Sequence, residues 1–332
     1  MKILFFSDTH LGFDYPIRPR IVRRRRGQDF FNNFERVLKY SLENKIDLII
    51  HGGDFFFRSK VPQQIVTKAY EILFEFAENS IPFIIVPGNH ERSRLPQSIL
   101  TRHPNIYIFE KPQTFFFNFK GINIGVSGFP YERNNVRDNF LKIIQDTNWN
   151  EEYADIKILC FHHAVEGSKV KNFTFRSGED VIRGIDIPEN FHCILSGHIH
   201  RKQILWFRKD EKQVPVIYSG STERTSFQEK NEGKGFYILY FRQFCNGWRL
   251  VKTDFKILPI RPMIDIFIDW KIKDRKRLEN FLKDQIAKLD QDAIVRIRCN
   301  YPEIISYLKA DFLWEIFPKT MNWQVSYLFG KR

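Results

Sequence analysis

Five short stretches of the chain combine acids, amides and imidazoles: Asp8-Thr9-His10, His51-Gly52-Gly53-Asp54, Pro87-Gly88-Asn89-His90-Glu91, His162-His163 and Gly197-His198-Ile199-His200. Together they offer oxygen and nitrogen ligands and no thiolate. Such a set suits a borderline divalent cation, manganese first, with iron or zinc as options, and is too rich in histidine for calcium or magnesium. The ligands suffice for two cations sharing one carboxylate, the arrangement of two-metal hydrolases. Any one stretch by itself reads as a turn or a hydrogen-bonded core histidine. Five of them, each directly after an apolar run, read as one site.

The runs that must position them are Ile3–Phe6, Ile46–Ile50, Ile81–Val86, Ile156–Phe161 and Cys193–Leu195. Near-continuous apolar residues mark strands buried on both faces, and in open α/β sheets ligand chemistry collects outside the carboxyl ends of such strands. Between them, apolar positions at helical spacing predict helices over 28–44, 62–79 and 136–145, with Pro62 suited to a first turn. A short helix is expected over 95–101. Shorter strands follow at 106–109, 114–119 and 122–127, and those near 202–207, 214–218, 235–241 and 247–256 are expected to complete a second sheet. The order predicts an α/β fold: a two-sheet sandwich core, 1–257, flanked by helices. Two prolines in Leu258-Pro259-Ile260-Arg261-Pro262 mark a linker. Beyond it, 258–332 reads as a small α/β capping domain with strands at 263–269, 293–299 and 323–328 and helices at 274–289 and 302–310.

The 332 residues carry a formal net charge of +13, which suits a polyanionic partner. Six arginines fall within nine residues, Arg18 to Arg26, between the first strand and the first helix. That position puts Arg20, Arg23, Arg24, Arg25 and Arg26 at the same rim as Asp8 and His10. No apolar run reaches 18 residues and no signal-peptide pattern opens the chain, so an intracellular protein with no membrane partner is expected. The four cysteines form no C-x-x-C pair, which argues against a zinc ribbon or a redox motif.

In order, Asp8-Thr9-His10, Gly53-Asp54, Gly88-Asn89-His90-Glu91, His162 and Gly197-His198-Ile199-His200 resemble the calcineurin-like metallophosphoesterase signature, over about the first 200 residues. Within that superfamily the chain is most similar to the nuclease subunit of the double-strand-break repair nuclease and ATPase complex. The resemblance implies one metal on Asp8, His10, Asp54 and His200 and a second on Asp54, Asn89, His162 and His198, hence two Mn²⁺ per subunit. His90 would then face the scissile phosphate, oriented by Glu91, and Arg92 and Arg94 would join the arginine loop in gripping DNA. It further implies in-line phosphodiester hydrolysis, as 3′-to-5′ exonuclease on duplex ends and endonuclease on single strands. It implies a cytoplasmic, nucleoid-associated place in a prokaryote, an SMC-like ATPase partner and a homodimer. The apolar faces of 62–79 and 95–101 are the candidate dimer contact. One departure stands out: relatives commonly have histidine three residues after the bridging aspartate, where this chain has Phe57. Two competing readings are a phosphoesterase for small molecules or phosphoproteins and a metal-free scaffold of the same fold.

Overall fold

The computed structural model describes residues 1–14, 25–96, 103–209, 212–268 and 274–327. Contacts divide the chain into two units. The first holds Met1–Phe13, Gly27–Thr225 and Glu232–Pro259; the second holds Asp14–Arg26, Ser226–Asn231 and Ile260–Arg332.

The first unit is a sandwich of two six-stranded mixed sheets. In the first sheet, β1 (Lys2–Phe6), β2 (Leu48–His51), β3 (Phe83–Ile85) and β4 (Ile106–Ile108) run parallel in that order. Beyond them, β5 (Gln113–Phe119), β6 (Ile122–Gly128), β7 (Ile156–Phe161), β12 (Cys193–Ser196), β13 (Gln203–Lys209) and β14 (Lys212–Tyr218) build the second sheet, in the order β13-β14-β12-β7-β6-β5. Two-residue strands, β8 (Ala164–Val165) with β11 (Val181–Ile182) and β9 (Lys169–Val170) with β10 (Phe173–Thr174), decorate the intervening loop. The hairpin of β15 (Gly235–Phe244) and β16 (Gly247–Ile257) differs from expectation: it joins the first sheet, where β15 pairs antiparallel with β1. Its residues alternate accordingly. Phe236 and Ile238 face the helices while Tyr237 and Leu239 face the second sheet.

The same period of two explains β1. Leu4 and Phe6 pack under helices α1 (Gly27–Glu43) and α2 (Gln63–Ala77), whereas Ile3 and Phe5 pack between the sheets with Ile50, Ile84, Val126, Ile158 and Leu195. Helix α3 (Val136–Asp146) covers the outer face of the second sheet through Val136, Phe140 and Ile144. Val66, Ala69, Tyr70, Leu73 and Phe76 of α2 are buried in this chain's own core, while Ile65, Ile72 and Phe74 on the same helix are only partly buried. Leu95 and Pro96 are not helical, and 97–102 lie outside the described residues.

The second unit contains a parallel sheet of β17 (Met263–Ile268), β18 (Ile294–Cys299) and β19 (Asn322–Tyr327), with α4 (Arg275–Ile286) and α5 (Ala310–Ile316) sharing one apolar core with it. The helix expected over 302–310 is displaced. A 3₁₀ segment occupies Pro302–Ser306, and α5 begins where Phe312 and Leu313 can reach the core.

Candidate metal centre

Every expected ligand stretch does leave a parallel strand, and the two sheets present these ends together. The loops are bound tightly to one another. The Asp8 amide donates to Gly53 O (2.8 Å), the His10 amide to Asp54 O (3.0 Å), and the His198 amide to Asp8 Oδ1 (3.2 Å). Glycine is required at two points. A Cβ on Gly88 would lie 2.2 Å from Asp54 Oδ1, and one on Gly53, itself at φ +109°, would lie 2.1 Å from His162 Nδ1. Asp8, His10, Asp54 and His198 all have positive φ, a conformation sparsely populated by such residues. Strain of this kind persists where surrounding contacts over-determine it, and it concentrates at functional sites.

The ligand atoms converge in groups linked through Asp8, His10 and Asp54. On one side, Asn89 Oδ1 lies 3.0 Å from both His162 Nε2 and His198 Nδ1, and Asp54 Oδ2 lies 3.3 Å from His162 Nε2. On the other, His10 Nε2 and His200 Nε2 are 2.9 Å apart, with Asp8 Oδ1 3.7 Å from His200 Nε2. Asp8, His10 and His200, Asp8, Asp54 and His162, and also His10, Asp54 and His90 each place ligand atoms within 4.8 Å of one another. Such an arrangement suits divalent cations. His162 Nδ1 faces Gly52 O at 2.8 Å, and a proton held there leaves Nε2 aimed at two oxygen acceptors. Two lone-pair oxygens around an imidazole nitrogen repel unless positive charge stands between them.

The electrostatics agree. Burial pushes the His198 imidazole down to about 3 and His10 well below its usual range, with the His162 and His200 charges respectively adding to the effect, so both rings stay neutral. Burial opposes charge on His162 and Asp54, yet their mutual attraction wins: His162 rises to about 9 and Asp54 falls far below the usual carboxylate range.

His90 has the most open side chain of the cluster's described rings, 34% accessible against 25% for His200. Its amide donates to Asp54 Oδ1 (2.9 Å), its Nδ1 meets Phe57 O at 2.5 Å, and its Nε2 stands 3.8 Å from Asp54 Oδ2. Glu91 does not supply that orientation. Its carboxylate is buried and accepts the amides of Phe56 and Gly88, both at 2.6 Å, and thereby ties the loop after β3 to the loop after β2. Burial raises its pKa to about 8, with the Asp54 charge adding to the rise and the two amides opposing it. The Phe57 ring lies edge-on to His10 (5.8 Å) and tilted against His90 (5.6 Å), and brings no donor to the site.

Of the expected DNA-gripping residues, Arg92 and Arg94 are exposed and line a groove of about 480 Å³ with Tyr131 and Arg133. Arg25 and Arg26 belong to the second unit and hold Asp14, through Nη1 (3.5 Å) and the backbone amide (3.1 Å). Arg20, Arg23 and Arg24 lie outside the described residues.

Several supporting residues went unseen in the sequence. Tyr131 follows β6, parallel to β7, and stacks on His163 at 4.5 Å within 6.3 Å of His162. Ser219 follows β14, parallel to β12, and its Oγ lies 2.9 Å from Ser7 Oγ, which donates to Asp8 Oδ2 (2.6 Å). The strand-end rule applied to these two further strands finds both. His51 is a buried brace: Nδ1 accepts the Gly53 amide, leaving Nε2–H for Thr9 Oγ1, which itself donates to Phe55 O.

A sandwich with such a cluster at the strand ends defines a class. The chain belongs to the calcineurin-like phosphoesterase family, whose model matches residues 1–202. It is thus a metal-dependent phosphodiesterase with divalent cations as cofactors. Within the family it stands with the double-strand-break repair nucleases. It is 26% identical over 323 residues to the DNA double-strand break repair protein Mre11 of Methanocaldococcus jannaschii, covering 94% of this chain and 78% of that one. It is 30% identical over 323 residues to the Mre11 of Archaeoglobus fulgidus, covering 89% and 67%. With the Mre11 of Methanococcus maripaludis it spans 62% of the relative's length. A dimetal phosphatase from Danio rerio superposes on 77% of this chain and 98% of its own at a TM-score of 0.45 and 11% identity, too loose a match to bear on the site.

Proposed function

We propose that this phosphodiesterase is a DNA nuclease that processes double-strand breaks, using two manganese ions per subunit. The observation that carries the reading is the set of ligand groups linked through Asp8, His10 and Asp54, with the partly exposed His90 beside them. Asp8, His10, Asp54 and His200 would hold one cation and Asp54, Asn89, His162 and His198 the other. Bound there, the cations supply positive charge for the phosphoryl oxygens and acidify water. Everything else falls to the chain. His90, held at Nδ1 by the Phe57 carbonyl, presents Nε2 beside the ligand cluster, 3.8 Å from Asp54 Oδ2, and, when protonated there, donates to the scissile phosphate or the leaving oxygen, a contribution of ~10²–10⁴-fold. Exposed Arg92 and Arg94, and the arginine run before α1, grip backbone phosphates, which makes binding steeply salt-dependent. The second unit, residues 260–332 with its associated segments, acts as a DNA-binding cap.

Endonuclease action on single strands is part of the same reading, supported by the family resemblance. Exonuclease action from 3′ ends depends further on how Phe57, an apolar ring where relatives place histidine, seats a duplex terminus. A homodimer and an SMC-like ATPase partner complete the reading, in the cytoplasm of a prokaryote; among the described residues no helix is long and apolar enough to cross a membrane. The test is cleavage of an end-labelled duplex and a single strand with manganese, comparing wild type with His90→Ser and using p-nitrophenyl phosphates as the competing substrate. Turnover of the small esters without DNA cleavage would replace the nuclease reading by that of a small-molecule phosphoesterase.

A further inference from the structure

A second basic and aromatic surface lies at the other end of the sandwich. The parallel strands β12 and β14 run towards the metal edge and finish there at Ser196 and Tyr218, so Lys212 and Gln213 start at the opposite edge. There, between the β13–β14 hairpin and the β15–β16 hairpin, a groove of about 750 Å³ opens. Pro215, Trp248 and Leu250 are among its lining residues, and the latter two continue the core between the sheets. Trp206, paired across the hairpin with Pro215, is 59% exposed. Lys212, Arg249 and Lys252 line the same groove, and among its described lining residues there is no carboxylate. Arg249 also covers Phe244, 5.6 Å from its ring, and Lys252 lies 3.8 Å from Asp254, so these cations are oriented along the β16 edge.

Tryptophan is seldom left this open on a folded surface, because its ring is the largest apolar payload of any side chain. An exposed indole among exposed cations is the combination used to hold unpaired bases, the ring stacking on a base and the cations meeting the phosphates. Duplex DNA does not meet this need, since its bases are already stacked on one another. An acidic peptide would satisfy the cations and leave the indole face idle. We infer that the groove lined by Trp206, Trp248, Lys212, Arg249 and Lys252 binds single-stranded nucleic acid, remote from the metal edge. The site gives the chain a hold on an unpaired strand that does not depend on the phosphate being cut.

The test uses the full chain in the presence of a chelator, so that nothing is cleaved, and oligo-dT carrying 5-iodouracil. Irradiation followed by peptide mapping is expected to place adducts on Trp206 or Trp248. Trp206→Ala should weaken oligo-dT binding about tenfold, and the combined Lys212→Glu, Arg249→Glu and Lys252→Glu variant should flatten its salt dependence. Both variants should melt as wild type does and hydrolyse p-nitrophenyl phosphates with manganese at the wild-type rate, since no altered side chain touches the metal edge. Adducts confined to the metal edge or to residues 260–332, with Trp206→Ala binding oligo-dT as wild type does, would overturn the inference. So would displacement of bound oligo-dT by an acidic peptide that itself quenches Trp206 at lower concentration than the oligonucleotide.

Discussion

The two ends of the sandwich are made from the same strands and solve opposite problems. At the metal edge the chain buries acids and imidazoles, accepts positive φ at Asp8, His10, Asp54 and His198, and closes glycine backbones onto side chains. At the far edge it does the reverse and leaves an indole and three cations open on regular edge strands. Buried polar groups are costly unless each finds a partner, so the metal edge is a place where single changes propagate. At the far edge His192 is held between the Lys157 amide and the Trp248 carbonyl, but the exposed indole and cations stand outside that brace, and changes to them should stay local.

The sharpest way to break this contrast is at His90. His90→Ser should lower DNA cleavage ~10²–10⁴-fold while manganese and DNA binding persist, as measured by single-turnover cleavage beside titration calorimetry. Equal loss of metal would show that His90 is a ligand instead. Next in size is the response to metal. Manganese at about 100 times its dissociation constant should stabilise the fold by ~2.7 kcal/mol, seen as a rise in melting temperature. Asn89→Ala should lose part of that rise, and an undiminished rise would take Asn89 out of the ligand set. Smaller again is the brace beneath the ligands. Thr9→Ala removes the partner of His51 Nε2 in a buried site and should cost ~1–3 kcal/mol in chemical denaturation. The smallest effect belongs to the far edge, where Trp206→Ala should change stability by no more than about 0.5 kcal/mol. A loss of several kcal/mol would mean that Trp206 is part of the fold and not an open surface.

How much of this could be read in advance differs between parts. The parallel strands were legible because burial on both faces leaves continuous apolar runs, and the ligand stretches because they follow those runs. The β15–β16 hairpin was assigned to the wrong sheet, since alternation in Phe236–Phe241 reports two buried faces and says nothing about which neighbour supplies the backbone hydrogen bonds. The apolar stripe of α2 likewise could not say whether its own core or a second subunit would cover it. Glu91, which the resemblance cast as the partner of His90, has both carboxylate oxygens on the amides of Phe56 and Gly88, a pairing between two loops that local sequence does not report.

The sequence by itself determined the fold class, the edge at which chemistry collects and the residue types gathered there, because each follows from local pattern and from the direction of parallel strands. The tertiary structure alone decided which atoms meet. It paired His162 with Asp54, gave the orientation of His90 to a backbone carbonyl of Phe57, and set Trp206 beside Arg249 and Lys252 from the other sheet. Those contacts join residues far apart in the chain, and only the packing of one sheet on the other brings them within reach.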